Sequence, residues 1–414
     1  MLNALEYEPQ IDDDSSSETY PVMPESDSEQ QSVRKSKFNK TDNDTCVICE
    51  RKEGAEGSEL EQYQSHIRRK EEAYREKAAD KELARASKGG GDTFRSATFD
   101  LQSVLSTPCS SAGPLFYRRK LAVYNLTVFQ QISKDGFCFL WDETTAKRGA
   151  NEVGSCLLKY LQTLPASVEH ISLFSDTCPG QNRNTLIMAL LLHTVVNSDN
   201  IKIIDQKFME RGHSYMEVDS MHAAIEHSRK NSISAASSNA QTVVRTPRDW
   251  EVVIGSSRQK PGTLPYQVVW LQQNDVKDLK QLSKEMTAQH SRNLDGEPVS
   301  INKIKFFRFR KEYPTTIFYK TEYTDETFKE IGIASTKETR RYTTAKAIKL
   351  NNALSGRIPI SKQKRNDLLS LFVGNDRIVN DPAAVEFYEN LPYVDSEARA
   401  ADNDDVDDDE PTCY

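Results

Sequence analysis

Between residues 94 and 230 the chain changes its hydrophobic period several times. Ser96–Val104 and Lys120–Phe129 are rich in β-branched and aromatic side chains and read as strands, with Gly136–Asp142 as the hairpin partner of the second. Gly149–Leu164 then switches to helical spacing, with Val153, Cys156, Leu157, Tyr160 and Leu161 on one face. His170–Ser175 is a short buried strand. Asn184–Val196 is an apolar helix capped by Asn182 or Asn184, Ile201–Phe208 is another strand, and Glu217–Lys230 is a closing helix. Three antiparallel strands followed by alternating helix and strand predict an α/β fold over 93–231: a mixed five-stranded sheet with helices on both faces.

The flanks follow other patterns. Residues 1–40 are acidic and serine-rich, without apolar periodicity, and read as a disordered tail, as do residues 395–414. Within 41–92, Glu59–Ala86 is dense in Glu, Lys, Arg and Ala and predicts a long polar helix that packs by one face, pairs with a partner helix or, by default, is a solvated connection, broken by Lys88–Asp92. Residues 232–248 are a polar linker. Residues 249–394 predict a smaller α+β region. In it Trp250–Ile254 and Tyr266–Leu271 look strand-like or buried, Val299–Arg310 alternates basic and apolar side chains, Ile317–Lys320 pairs with it across Pro314, and Lys362–Phe372 is a short helix.

The overall charge of −8 hides an uneven distribution. Residues 1–32 carry nine acids and no Lys or Arg (net −9), and residues 395–414 carry nine acids against one Arg (net −8), which leaves the middle near +9. A basic body between acidic tails suits an anionic partner, DNA above all, while the tails suit protein partners. No stretch has the length and apolarity of a membrane span, and the N-terminus lacks the pattern of a secretory signal. Seven cysteines, an odd number thinly spread, point to a reducing compartment. A nuclear location follows from the DNA partner alone, with the cytoplasm as the other expectation.

Three acids stand at element ends. Asp100 lies late in the first strand, Asp176 ends the strand His170–Ser175, and Asp219 opens the helix that begins near Glu217. The topology places the first two strands that bear them side by side and swings the last helix over the same edge. Carboxylates gathered in this way repel unless they share cations, and all-oxygen sites favour magnesium or manganese. Two such ions support phosphodiester chemistry. The plainer readings are an edge-strand charge for Asp100 and helix caps for Asp176 and Asp219. Glu226, seven residues beyond Asp219 on the same helix, is the reserve third ligand. His213, in Gly212-His213-Ser214, is a candidate proton shuttle or phosphate donor, or a structural histidine.

The loop Asp176–Asn184 offers Gln181, Asn182 and Arg183 as phosphate donors, or forms a tight capping turn. Lys303, Lys305, Arg308 and Arg310, interleaved with phenylalanines, would present a basic stripe to a nucleic-acid backbone. The alternative is a strand with one face buried and one solvated. Cys46-Val47-Ile48-Cys49 is a knuckle with the spacing for one zinc, His66 is a candidate third ligand, and no fourth is apparent at finger spacing, Cys109 being far off in sequence; the alternative is a pair of ordinary cysteines next to a helix.

Ser175-Asp176-Thr177-Cys178-Pro179-Gly180-Gln181-Asn182-Arg183-Asn184, Gly212-His213-Ser214 with the Asp and Ile-Glu that follow, Phe99-Asp100-Leu101-Gln102, Tyr117–Leu121, Tyr124-Asn125-Leu126, Gly154–Leu158 and the upstream Cys46/Cys49/His66 set together carry a resemblance. They resemble an uncharacterised domain family associated with mobile elements, over roughly residues 45–390. The resemblance implies a transposase-derived, RNase H-like domain with Asp100, Asp176 and Asp219 as its matching acids. Two expectations follow. One is a DNA-binding protein whose ancestral reaction is phosphodiester cleavage or strand transfer. The other is a non-catalytic interaction scaffold that keeps the fold.

Overall fold

A computed structural model describes residues 46–50, 56–110, 113–236, 244–258, 260–286, 291–333, 348–374 and 377–395. The acidic tails, apart from Asp395, and residues 237–243 of the linker expected at 232–248 lie outside the described residues; the start of that linker, 232–236, is the last part of a helix instead.

Twelve strands are described: β1 (Phe94–Leu101), β2 (Leu105–Thr107), β3 (Leu121–Gln130), β4 (Gly136–Asp142), β5 (His170–Ser175), β6 (Ile203–Phe208), β7 (Gln267–Trp270), β8 (Phe306–Arg310), β9 (Thr316–Lys320), β10 (Lys329–Gly332), β11 (Ile360–Ser361) and β12 (Tyr393–Val394). The helices are α1 (Val47–Glu50), α2 (Ser58–Gly89), α3 (Ala150–Gln162), α4 (Thr185–Asn197), α5 (Glu217–Ala236), α6 (Trp250–Ser256), α7 (Leu279–Met286), α8 (Lys362–Ser370) and α9 (Pro382–Glu389). The α/β class read from the sequence is the class observed.

The main sheet has ten strands in the order β10-β9-β8-β6-β5-β1-β3-β4-β7, with β2 paired to β3 off this path. At its middle, β1 runs antiparallel to β3 and parallel to β5, β3 is antiparallel to β4, and β5 is parallel to β6. These are the five strands expected from 93–231, but they are not the whole sheet. The region expected to stand apart at 249–394 supplies β7 alongside β4 and β8, β9 and β10 beyond β6. The physical reason is at the edges: β4 and β6 would otherwise present unpaired backbone groups. The described residues accordingly fall in one compact unit. Trp250–Ile254 is helical rather than extended; Trp250, Val253 and Ile254 are buried at i, i+3 and i+4, and Thr246 and Asp249 form a capping box ahead of them.

Strand alternation gives the sheet two unlike faces. Phe99 and Leu101 of β1, Phe137, Phe139 and Trp141 of β4, Ile171 and Leu173 of β5 and Ile204 of β6 join α3, α4 and α7 in one apolar core. Asn184 caps α4 by accepting from the N–H groups of Leu186 and Ile187, both at 3.0 Å. Among the intervening residues, which point the other way, Thr98, Asp100, Ser172, Asp205 and Lys207 are polar and lie beneath α2 and α5, while Val123, Leu140 and Phe174 join Met221, Ile225 and Trp250 in a second apolar cluster. Helix α2 is therefore no solvated connection. It buries His66, Glu72, Ala73, Asp80 and Ala84, and Lys207 meets both Glu76 and Asp80 at 2.7 Å. A helix with no apolar stripe docks here through ion pairs because the sheet face beneath it is itself charged.

Candidate functional site

Asp100 and Asp219 meet on the polar face, while Asp176 stands close enough for its charge to act on both but is not among the described residues whose ligand atoms converge there. The β1–β5 register pairs Thr98 with Phe174, so two residues further along the parallel strands Asp100 comes level with Asp176. Across the antiparallel β1–β3 pair, Asp100 faces Thr127. Helix α5 packs over β1 and β3, and its first turn carries Asp219. Asp100, Asp219 and His222 offer ligand atoms that all lie within 4.8 Å of one another.

The carboxyls perturb one another. Burial pushes Asp100 well above the ordinary range, and the charges of Asp176 and Asp219 push it further. Burial also raises Asp176, against the N–H of Cys178 (3.2 Å), the amide of Asn182 and the charge of Arg183. Asp219 is raised by burial despite the N–H of Met216 at 2.6 Å. Like charges held this closely favour either a proton or a cation.

His222 completes the cluster. Its Nε2 lies 2.7 Å from Thr127 Oγ1, which is in turn 3.2 Å from the Asp100 carbonyl oxygen. Burial pushes the imidazole down to about 4, so it is neutral at neutral pH. Sequence reading passed over this residue although Asp219-x-x-His222 has the i, i+3 spacing that puts both side chains on one helix face.

The other candidates are dispersed. Glu226 pairs with Arg229 (2.8 Å), three residues on, and is not among the described groups whose ligand atoms converge. His213 is drawn to Cys49, whose Sγ lies 3.2 Å from its Nε2. Cys46, Cys49, His66 and His213 have ligand atoms within 4.8 Å of one another, so the fourth partner absent at finger spacing comes from 147 residues beyond His66. Asn182 is buried and holds Asp176 rather than facing solvent, while the N–H groups of Gln181, Asn182 and Arg183 turn back on the Cys178 carbonyl. That is the tight-turn reading of the loop.

The basic stripe divides in two. Lys303 and Lys305 line a cavity of about 750 Å³ together with Asp176, Arg183, Arg69 and Arg211. Arg308 instead binds Asp205 with two nitrogens, each at 2.8 Å, and Arg310 pairs with Glu312 at 3.0 Å. Adjacent strand pairing sets this split: Arg308 stands opposite Asp205 in the β6–β8 register. Among the described residues no helix is long and apolar enough to cross a membrane.

No curated protein and no solved structure matches the chain. Residues 121–253, which run from β3 into α6 and include Asp176, His213, Asp219 and His222 but not Asp100 or the Cys46/Cys49/His66 set, match a family model described as Domain of unknown function (DUF7869).

Proposed function

We propose that the chain is a transposase-derived, DNA-binding protein whose RNase H-like core binds divalent cations between Asp100, Asp176 and Asp219. Its ancestral reaction in this reading is phosphodiester cleavage or strand transfer. The observation that carries it is the meeting of side chains from a strand and a helix on one polar sheet face, with Asp100, Asp219 and His222 within 4.8 Å and the charge of Asp176 acting on both acids. The order of the five central strands, with β3 and β4 antiparallel on one side of β1 and β5 and β6 parallel on the other, supports the RNase H-like assignment.

The donor set fits a cation. Buried carboxyls whose charges oppose one another gain from a divalent ion, and one imidazole among oxygens shifts preference from magnesium toward manganese. Asp100, Asp176 and Asp219 would hold such ions, which would supply charge neutralisation at a phosphodiester and so favour attack on phosphorus by water or a 3′-hydroxyl and departure of the ester oxygen. The chain's own residues orient the acids: Asn182 and Cys178 hold Asp176, and Met216 holds Asp219. Thr127 fixes the ring of His222. The cavity beside Asp176, with Arg183, Lys303 and Lys305 on its walls, gives a nucleic-acid backbone a positive path to the cluster. A nuclear location accompanies the DNA partner.

A second reading, a scaffold that keeps the fold without catalysis, is favoured by one detail: Asp176 Oδ1 is already engaged by both Asn182 and Cys178. Supercoiled plasmid and labelled oligonucleotides, incubated with manganese or magnesium, separate the two. Chelator-sensitive cleavage that disappears in Asp100→Asn and Asp219→Asn supports the nuclease. DNA binding without cleavage, in a protein that takes up manganese, supports the scaffold.

A further inference from the structure

Cys46, Cys49, His66 and His213 come from three separate places: the N-terminal knuckle, the first part of α2 and the turn that leads into α5. Neither Cys46 nor Cys49 is in a disulfide. Each sulfur approaches an imidazole nitrogen, Cys46 Sγ to His66 Nε2 at 3.3 Å and Cys49 Sγ to His213 Nε2 at 3.2 Å. A tetrahedral zinc with bonds of about 2.3 Å to sulfur and about 2.0 Å to nitrogen sets S and N about 3.5 Å apart. The observed spacings are those of a ligand cage.

Two surrounding features fit a metal rather than a chance meeting of thiols and rings. His66 Nδ1 lies 3.2 Å from Glu210 Oε1, so the ring nitrogen turned away from the cluster is held by a carboxylate, as the outer partner of a metal-bound histidine commonly is. Glu210 is itself fixed by Arg69 at 3.2 Å and by Lys305. Gly212, at φ +74°, lets the turn pass against Cys46; a Cβ there would lie 2.9 Å from Cys46 Cβ. The turn is shaped to bring His213 to the knuckle.

We propose that Cys46, Cys49, His66 and His213 bind one zinc ion, which clamps the knuckle and α2 to the turn 210–213 and thereby fixes the start of α5. The ion has four protein ligands and no open position, so its role is structural. Its consequence lies six residues on from His213, where Asp219 enters the acid cluster. Through Glu210 the same clamp also sets Arg69 and Lys305 on the wall of the cavity. The zinc site stands whether or not the acids bind a cation.

Metal analysis of the full chain tests this, with zinc as the probe. Wild-type protein is expected to hold about one zinc per chain, and Cys49→Ser and His213→Ala to lose it or bind it more than about 100-fold more weakly. His213→Cys is expected to keep zinc, and its cobalt-substituted form to absorb more strongly in the thiolate charge-transfer region than the wild type. Asp219→Asn is expected to keep zinc unchanged. Removing zinc from the wild type is expected to speed hydrogen exchange across 209–222 by at least about tenfold. A folded wild type that takes up no zinc, or a His213→Ala variant that binds it as tightly, overturns the site; unchanged exchange on zinc removal overturns the clamp. Zinc uptake without manganese uptake leaves this site standing and sinks the nuclease reading instead.

Discussion

Arg308 on β8 grips Asp205 on β6 with two nitrogens at 2.8 Å each, and His170 adds a third contact to the same carboxylate at 2.9 Å. This guanidinium is part of the fold rather than of a nucleic-acid surface. Asp205 is 1% exposed, so removing Arg308 strands a buried charge. Arg308→Ala is expected to lower stability by about 3 kcal/mol, read from urea unfolding. A loss below about 0.5 kcal/mol, the scale of an exposed ion pair, would contradict it.

The same carboxylate predicts a pH dependence. Burial alone would raise Asp205, but hydrogen bonds from Arg308 and His170 and their charges outweigh it and bring it down to about 2. A group lowered on folding contributes stability that is fully present above its unfolded value and is lost as the pH falls through the folded one. Wild-type stability should therefore decline between about pH 4 and pH 2, with roughly 2 kcal/mol of the loss belonging to Asp205. Asp205→Asn should flatten this part of the profile; an unchanged slope would assign the acid loss elsewhere.

Thr127 binds His222 at 2.7 Å and stands opposite Asp100 in the β1–β3 pair. Thr127→Val keeps the strand packing but frees the ring. Manganese affinity at the acid cluster is expected to fall about 10-fold to 100-fold, the usual loss when an outer partner of a ligand is removed. Calorimetry measures it, with zinc content as the check that the other centre is intact.

Asp100 is set against its own neighbours. Burial and the charges of Asp176 and Asp219 all oppose its ionised form. Asp100→Asn is therefore expected to stabilise the metal-free protein, by about 1 kcal/mol, and to abolish the rise in melting temperature expected when manganese is added to the wild type. A variant less stable than the wild type without metal would mean that Asp100 serves the fold and not a cation site.

Lys303 and Lys305 share the cavity with Asp176, whereas Arg310 is paired with Glu312 outside it. Lys303→Ala should weaken DNA binding and reduce its salt dependence by about one counterion, with stability nearly unchanged. Arg310→Ala should alter neither. Fluorescence anisotropy over a salt series distinguishes them.

Local pattern was enough to place the central strands and the helices between them. The alternation in β1 and the 3.6-residue period in α3 are properties of neighbouring residues, so they are visible in the chain itself. The acids were also legible, because Asp100, Asp176 and Asp219 stand where the topology gathers element ends. The meeting of Cys46, Cys49 and His66 was legible from their types and spacing, though not the residue that joins them. What the chain alone left open depends on contacts between distant segments. His213 reads as a proton shuttle until the turn at Gly212 carries it to Cys49. Helix α2 reads as solvated because its partners, Lys207 and Ser172, lie on strands about a hundred residues away. The division of the basic stripe between cavity and core follows from which strand β8 pairs with, and the joining of residues 249–394 to the sheet follows from open edges at β4 and β6. Hydrophobic period is written locally along a chain; pairing, register and the meeting of charges are decided only when the sheet closes around them.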